Sequence, residues 1–334
     1  MKKQTILVTG GLGYIGSHTS VALLENGYDI IIIDNLTNSN ISVLGKIEEL
    51  TKKKPLFYNF DIREKLKIRE VLDNHSIDGV IHFAAFKKIT ESIEDPLLYY
   101  DNNIIGAIKL IEAFQEKGIY KFIFSSSATV YGNTNKSPVK EDAPRFSSNP
   151  YGATKLMVEN ILYDLVSAND LWKIGVLRYF NPVGAHPSAL LGEIPEKIPS
   201  NLMPYINLVA NGDLSHLNIF GGDYNTPDGT PIRDYIHVTD LAEAHVAALI
   251  KLEVQKGFNA FNLGTGNGVT VLEMINTFEK CNGVKVKYKI VGRREGDAES
   301  IYADPSKANK TLKWKAKKNL IEMCEDSWRW QKRF

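Results

Sequence analysis

The segment that most constrains this chain is Gly10-Gly11-Leu12-Gly13-Tyr14-Ile15-Gly16. It follows an apolar run, Gln4–Thr9, and opens a helically spaced stretch, Tyr14–Asn26. Glycines at 10, 13 and 16 permit a tight turn and let backbone N–H groups approach a pyrophosphate, and the N-terminus of the following helix adds about half a positive charge. A purely structural βα turn also selects glycine, so context decides. Asp34 stands 18 residues beyond Gly16, at the end of a second apolar run, Ile30-Ile31-Ile32-Ile33. A carboxylate there can accept both hydroxyls of an adenosine ribose and repels a 2′-phosphate. The spacing predicts a dinucleotide site that takes NAD rather than NADP.

The same alternation continues down the first half. Leu56–Phe60, Gly79–Phe83, Phe122–Ser125 and Ile174–Phe180 are short apolar runs suited to strands buried on both faces. Ile41–Thr51, Arg63–His75, Leu97–Lys117 and Tyr151–Ala168 carry helical spacing between them. Strand–helix–strand repetition predicts an α/β fold with a doubly wound, parallel, Rossmann-type sheet over residues 1–180. Beyond Phe180 the pattern changes: five of the 13 prolines fall between Pro182 and Pro204. Helices are expected near Asn201–Ala210, Asp240–Glu253, Leu272–Asn282 and Asn319–Gln331, and strands near Leu217–Phe220, Ala260–Leu263 and Val284–Ile290. Residues 181–334 thus read as a smaller C-terminal α/β lobe, with some segments free to cross back.

The 334 residues suit about two domains. Forty Lys+Arg against 39 Asp+Glu give no reason to invoke nucleic acid or an anionic membrane. Cys281 and Cys324 cannot form a disulfide framework, and seven scattered histidines suggest no metal site. No apolar run reaches the roughly 18 residues needed to span a bilayer. Met1-Lys2-Lys3 mimics the start of a signal peptide, but Ile6-Leu7-Val8 is too short to continue one. A cytoplasmic location is expected.

Tyr151-Gly152-Ala153-Thr154-Lys155 places a phenol and an ammonium four residues apart, on one face of a helix that Pro150 helps to start. With 15 Tyr and 31 Lys, about one such pair arises by chance, so position carries the weight. The pair follows the Phe122–Ser125 strand, which runs into the hydroxyl cluster Ser125-Ser126-Ser127-Ala128-Thr129. Residues leaving the C-terminal end of a sheet strand are where α/β folds bind ligands. A free tyrosine, with a pKa near 10, is a poor base. Lys155 and the positive ring of NAD⁺ would both favour its phenolate. The implied chemistry is removal of an alcohol proton coupled to hydride transfer.

With these residues in view, the chain resembles the extended short-chain dehydrogenase/reductases, and among them the UDP-hexose 4-epimerases. Further motifs carry the resemblance: Asp61-Ile62-Arg63, His82-Phe83-Ala84, Tyr99–Asn103, Leu177–Pro187, Arg233–Val238 and Arg293-Arg294-Glu295-Gly296-Asp297. It implies an NAD-dependent exchange of UDP-galactose and UDP-glucose, by transient oxidation at C4, turning of the 4-keto sugar and return of the hydride. It implies Tyr151 as general base, Lys155 lowering its pKa and holding the nicotinamide ribose, and Ser127 hydrogen-bonding the sugar oxygen. The implied NAD set adds Gly10, Gly13, Tyr14, Ile15, Asp34, Asn35, Asn38, Ser39, Asp61, Ile62, Phe83, Ala84, Lys87, Asn102, Tyr179 and Phe180. The implied UDP-sugar set is Asn181, Asn201, Leu202, Asn218, Ile219, Phe220, Arg233, Arg294 and Asp297, the two arginines suiting a diphosphate. Residues 102–117 and 151–168 would supply a homodimer interface.

Single positions separate this chain from rival readings. Nucleotide-sugar dehydratases carry an Asp-Glu pair where this chain has Ala128-Thr129, and decarboxylases a Glu at the second position; Ala and Thr cannot supply that acid–base chemistry. A non-catalytic NAD-sensing protein would need the pocket but not Tyr151 and Lys155 together. Ile301 matches a position at the hexose end of the pocket, where Tyr suits plain hexoses and smaller residues admit an N-acetyl group. Its intermediate size leaves UDP-N-acetylglucosamine and UDP-N-acetylgalactosamine as expected minor substrates.

Overall fold

A computed structural model of the chain describes residues 3–133, 135–194, 199, 201–294 and 296–333. Met1, Lys2 and Glu295, named above, lie outside the described residues.

Strands β1 (Thr5–Thr9), β2 (Asp29–Ile33), β3 (Leu56–Tyr58), β4 (Gly79–His82), β5 (Lys121–Ser127) and β6 (Lys173–Tyr179) form as the apolar runs require. They alternate with α1 (Tyr14–Glu25), α2 (Ser42–Thr51), α3 (Lys65–Asn74), a broken helical stretch and α7 (Pro150–Ala168). Helical spacing predicts one helix over Leu97–Lys117 in this stretch. It is α4 (Ile89–Glu94), α5 (Pro96–Tyr99), a π-helical turn (Tyr100–Ile105) and α6 (Gly106–Glu116). Asp95 caps α5, and the wider turn brings Asn102 and Asn103 inward. A single extra residue in a turn barely disturbs apolar spacing, which is why periodicity passed over it.

The second half contributes β7 (Asn181–Val183), α8 (Leu202–Asn211), β8 (Leu217–Phe220), β9 (Ile232–His237), α9 (Val238–Val254), β10 (Gly257–Leu263), β11 (Gly268–Thr270), α10 (Val271–Asn282), β12 (Tyr288–Val291), β13 (Ser300–Ile301), α11 (Ser306–Leu312) and α12 (Leu320–Gln331). The main sheet has seven strands in the order β10-β6-β5-β4-β1-β2-β3, and every pairing in it is parallel. The strand expected near 260–263 in the smaller lobe is therefore the seventh strand of this sheet, and α9 before it packs on α1. The crossing back is large: residues 238–263 return to the first unit. The strand expected over 284–290 starts only at Tyr288, because Gly283 ends α10 in a left-handed conformation and an extended segment follows.

Two apolar layers cover the sheet. One gathers Val21, Leu24, Leu241 and Leu249 from α1 and α9 against Ile6, Val8 and Ile32. The other gathers Ile68, Leu110, Phe114 and Leu162 against Leu7, Ile31, Phe122 and Ile174. Successive residues of β1 and β2 face opposite layers, which is why neither strand shows polar alternation. A separate core of Met203, Ile219, Tyr235, Ile275, Phe278 and Trp328 holds the smaller lobe.

Candidate active site

Neighbouring strands β1 and β4 mark the switch point of the sheet, where connections leave toward opposite faces and a crevice opens at the carboxyl ends. A cavity of about 530 Å³ lies there. The glycine turn forms one wall. Gly10 sits at φ +69°, and a Cβ on it would lie 2.7 Å from the Ala84 nitrogen. A Cβ on Gly16 would lie 2.2 Å from the Gly10 carbonyl oxygen. These two glycines let β1, α1 and the segment after β4 close on one another, with the N-terminus of α1 aimed at the cavity.

Gly13, Tyr14 and Ile15 line the same wall, as do Asp34, Asn35, Asn38 and Ser39 beyond β2. The Asp34 carboxylate is buried, accepting hydrogen bonds from the Leu12 and Leu36 amides and from the Ser39 hydroxyl. The only basic side chains among the described lining residues are Lys87, Lys88 and Lys155, and no arginine stands by Asp34 to receive a 2′-phosphate. Ile62, Phe83, Ala84, Lys87 and Asn102 complete the middle of the cavity, and Tyr151, Lys155 and Tyr179 its far end. This donor set fits NAD, whose pyrophosphate suits the glycine turn and whose ribose suits Asp34.

Three expected cofactor residues do not line the cavity. Asp61 is clasped by Arg63 through two contacts of 2.9 Å and by Asn35, which hold its carboxyl down at about 2. Phe180 follows Tyr179 at the strand end and turns to the other side, into a cluster with Tyr131 and Ala303. Ser127 stands at the end of β5, where its hydroxyl caps the short turn Ala128–Tyr131 by accepting from the Thr129 amide.

The catalytic group rests on α7. Asn149 caps it, accepting from the Gly152 amide at 2.9 Å, and Pro150 supplies the first helical residue. A Cβ on Gly152 would lie 2.4 Å from the Ser147 hydroxyl oxygen, so glycine lets the helix start seat closely. Tyr151 and Lys155 then share one face, with the Lys155 Nζ 5.9 Å from the Tyr151 ring centre. Lys155 donates to the Ser125 carbonyl at 2.7 Å. Burial pushes the Tyr151 phenol up, while a Ser127 hydrogen bond and the Lys87 charge pull it down. Burial brings Lys155 itself down to about 7, so near neutrality it carries only part of a charge.

The expected UDP-sugar residues gather apart from the cavity, except Asn201, which lines it and donates to Glu193. Arg233 on β9 lies 3.7 Å from Asp297 and donates to the Ala298 carbonyl at 2.8 Å. The Arg294 guanidinium covers the Phe220 ring at 4.2 Å. Asn218 and Ile219 share β8 with Phe220, while Asn181 opens β7 in register with Tyr235 and Leu202 opens α8. Ile301 pairs with Arg233 across β13 and β9, and it packs against the cluster containing Phe180.

Sequence reasoning did not reach several wall residues. Ser125 was named only within a hydroxyl cluster. Glu193 pairs with Lys87 at 2.7 Å, and Trp330 of the last helix closes the cavity, its indole donating to the Glu193 carbonyl at 2.9 Å. Nothing local at 193 or 330 signals contact with residues near 10 or 87. Only the helical spacing of α12 could have placed Trp330 on a buried face.

Sheet order, the glycine turn, the buried Asp34 carboxylate and the Ser127-Tyr151-Lys155 group are together those of an extended short-chain dehydrogenase/reductase. Residues 7–327 match the family described as "GDP-mannose 4,6 dehydratase". The chain is 53% identical to the UDP-glucose 4-epimerase of Bacillus subtilis over 328 residues, 98% of this chain and 97% of that one. Among solved structures, UDP-glucose-4-epimerase from Stenotrophomonas maltophila, with bound NAD and formylated UDP-arabinopyranose, superposes with a TM-score of 0.97 at 50% identity, covering 99% and 98% of the two chains. The enzyme from Bifidobacterium longum, in complex with NAD+ and UDP, gives 0.95 at 46% identity, with 99% and 98% covered. The chain belongs to the UDP-glucose 4-epimerase family.

Proposed function

We propose that this chain interconverts UDP-glucose and UDP-galactose with tightly held NAD, Tyr151, Lys155 and Ser127 acting at C4 of the hexose. The observation that carries the reading is convergence: the Tyr151 phenol and the Lys155 amine meet at one end of a cavity whose other end holds the glycine turn and Asp34, with Ser127 beside the phenol at the end of β5. Bound NAD⁺ supplies the hydride acceptor and a positive ring that eases ionisation of the nearby phenol. Tyr151 takes the 4-hydroxyl proton and returns it, held on α7 so that the phenol oxygen meets either face of the sugar. Ser127 donates to the reacting oxygen. Arg233 and Arg294 keep the diphosphate, so that the flat 4-ketone turns without leaving.

The dehydratase name of the wider family does not extend to this site. Ala128 and Thr129 offer no carboxyl, and the carboxylates on the described cavity wall are engaged: Asp34 by Ser39, Glu91 by Tyr99 and Glu193 by Lys87. The reading divides the chain into an NAD-binding unit over 1–180, joined by the returning segment, and a UDP-sugar unit over 181–334. It includes a homodimer through 102–117 and 151–168, supported by exposed Ile105, Met157 and Tyr163 beside exposed Ile93 and Leu97. It includes a cytoplasmic location, supported by the free thiols Cys281 and Cys324. Minor activity on N-acetylated UDP-hexoses follows from Ile301.

Denaturing the purified chain should release NAD and not NADP, and UDP-glucose should convert to UDP-galactose without added cofactor. Tyr151→Phe should keep NAD yet lose at least about a hundredfold in turnover. Recovery of NADP, or a variant retaining a tenth of the activity, would overturn the reading.

A further inference from the structure

Tyr151 and Lys155 stand on α7, whereas Ser127 ends β5, so its place relative to them depends on how that strand end is tied to the helix. The ties converge on one carboxylate. Tyr151, Lys155 and Glu159 recur every four residues along α7 and share a face. Glu159 is fully buried. On β5, Phe124 and Ser126 face α7, while Ser125 and Ser127 face the other way. The Ser126 hydroxyl donates to Glu159 at 2.5 Å, and Lys155, one turn earlier, donates to the Ser125 carbonyl at 2.7 Å. A second tie lies on the other flank of Ser127, which opens the short turn Ala128–Tyr131. The buried Tyr131 hydroxyl accepts from Arg178 at 2.7 Å, and the same guanidinium donates twice to Glu159, at 3.0 and 2.7 Å. Arg178 is also the direct partner of Ser126 across β5 and β6. None of Glu159, Ser126, Arg178 and Tyr131 lines the cavity. Ser127 itself accepts from the Thr129 amide at 3.2 Å, which leaves its own hydrogen for a sugar oxygen.

We propose that Glu159 is a positioning residue that, through Ser126 on one flank and Arg178 and Tyr131 on the other, fixes the Ser127 hydroxyl relative to Tyr151 and Lys155. A carboxylate offers about four lone-pair directions, and here all are used. Ser126 and the Arg178 Nε take one oxygen; the Arg178 Nη2 and Arg145 take the other. A buried acceptor saturated in this way holds one orientation, and so do the backbone segments tied to it. The network adds no group to the chemistry. It removes freedom from the strand end whose hydroxyl must meet the reacting oxygen.

The inference rests on the proposed function, in which Ser127 donates to the sugar oxygen, and the test separates the two. Conversion of UDP-glucose to UDP-galactose is measured on the NAD-loaded full-length chain and its variants, and NAD content is determined for each. Ser126→Ala removes one hydroxyl before Ser127, and Tyr131→Phe removes one after it. Each should lower kcat about tenfold while KM and NAD content stay within about twofold of wild type. In a Ser127→Ala chain the same substitutions should cost less than about twofold, because the hydroxyl they position is gone. Glu159→Gln, which turns one acceptor into a donor facing Arg178, should show the same dependence on Ser127. The two hydroxyl variants carry the test if it does not fold. Unchanged kcat in both hydroxyl variants, equal losses with and without the Ser127 hydroxyl, or loss of NAD overturns the inference alone. Absence of epimerisation in wild type, or a Ser127→Ala chain keeping more than about half of the wild-type kcat, overturns the proposed function and the inference with it.

Discussion

Lys155 shows how one residue can serve the reaction at the expense of the fold. An unfolded lysine titrates near 10.4, whereas in the folded chain burial brings Lys155 to about 7. Between those values the unfolded state holds the proton and the folded state does not. Stability is therefore lost as pH falls from about 10.4 to 7, and the full penalty persists below 7. In the cofactor-free chain, Lys155→Met should raise the denaturant midpoint at neutral pH by an amount worth a few kcal/mol, a gain that shrinks toward about pH 10. A constant difference across that range would show that the amine is not desolvated. Ile301 offers a second residue-scale test. Ile301→Tyr should depress turnover of N-acetylated UDP-hexoses far more than of UDP-glucose, since one wall residue is worth about 1–3 kcal/mol of discrimination. Equal slowing of both, measured as kcat/KM ratios, would remove Ile301 from the specificity wall. The chemistry-bearing residues Tyr151, Lys155, Ser127 and Asp34 were legible because their types are rare in those settings and flank predictable strand ends. The charge state of Tyr151 was not, because it depends on burial that no spacing encodes.

Among the elements, α7 carries the catalytic pair, and its underside is tied to the sheet by ionic contacts. Glu159 accepts from Arg178 on β6 at 3.0 and 2.7 Å, from Arg145 at 2.8 Å and from Ser126 on β5 at 2.5 Å. Tyr131 links Arg178 to Asn262 on β10. Glu159→Gln leaves the Arg178 charge buried without its carboxylate and should cost about 3–5 kcal/mol, read as a lower urea midpoint. A loss under about 1 kcal/mol would show that water reaches the network. The glycine turn gives a contrast within one element. Gly16→Ala drives a methyl into the Gly10 carbonyl and should abolish NAD retention, whereas Gly27→Ala, at φ +87° with nothing within 4 Å, should cost only about 1–2 kcal/mol. Sequence periodicity finds the strands of the main sheet because all but the edge strand β3 are largely buried on both faces. It does not signal β9 or the short β7, β11 and β13, which pair in one small mixed sheet, nor the π-turn at Tyr100–Ile105.

At the scale of the whole molecule, burial of neutral imidazoles sets the response to acid. His18 and His82 are brought to about 3 and His245 to about 4, each first by burial. Unfolded histidines titrate near 6.5, so as pH falls below that value the unfolded state gains up to three protons that the folded state refuses. Stability should decline steadily from about pH 6.5 toward 4, and a flat profile of unfolding midpoints across that range would contradict the burial. The return of residues 238–263 to the main sheet is also a property of the whole chain, and no local signal announces which sheet a strand joins. Trp330 in the cavity wall has a consequence for biosynthesis. A ribosome delivers the glycine turn long before this indole. A nascent chain can assemble most of its sheet early, yet the compartment for the dinucleotide stays open until α12 emerges. Cofactor occupancy therefore depends on α12, and a chain truncated before Leu320 should be recovered empty.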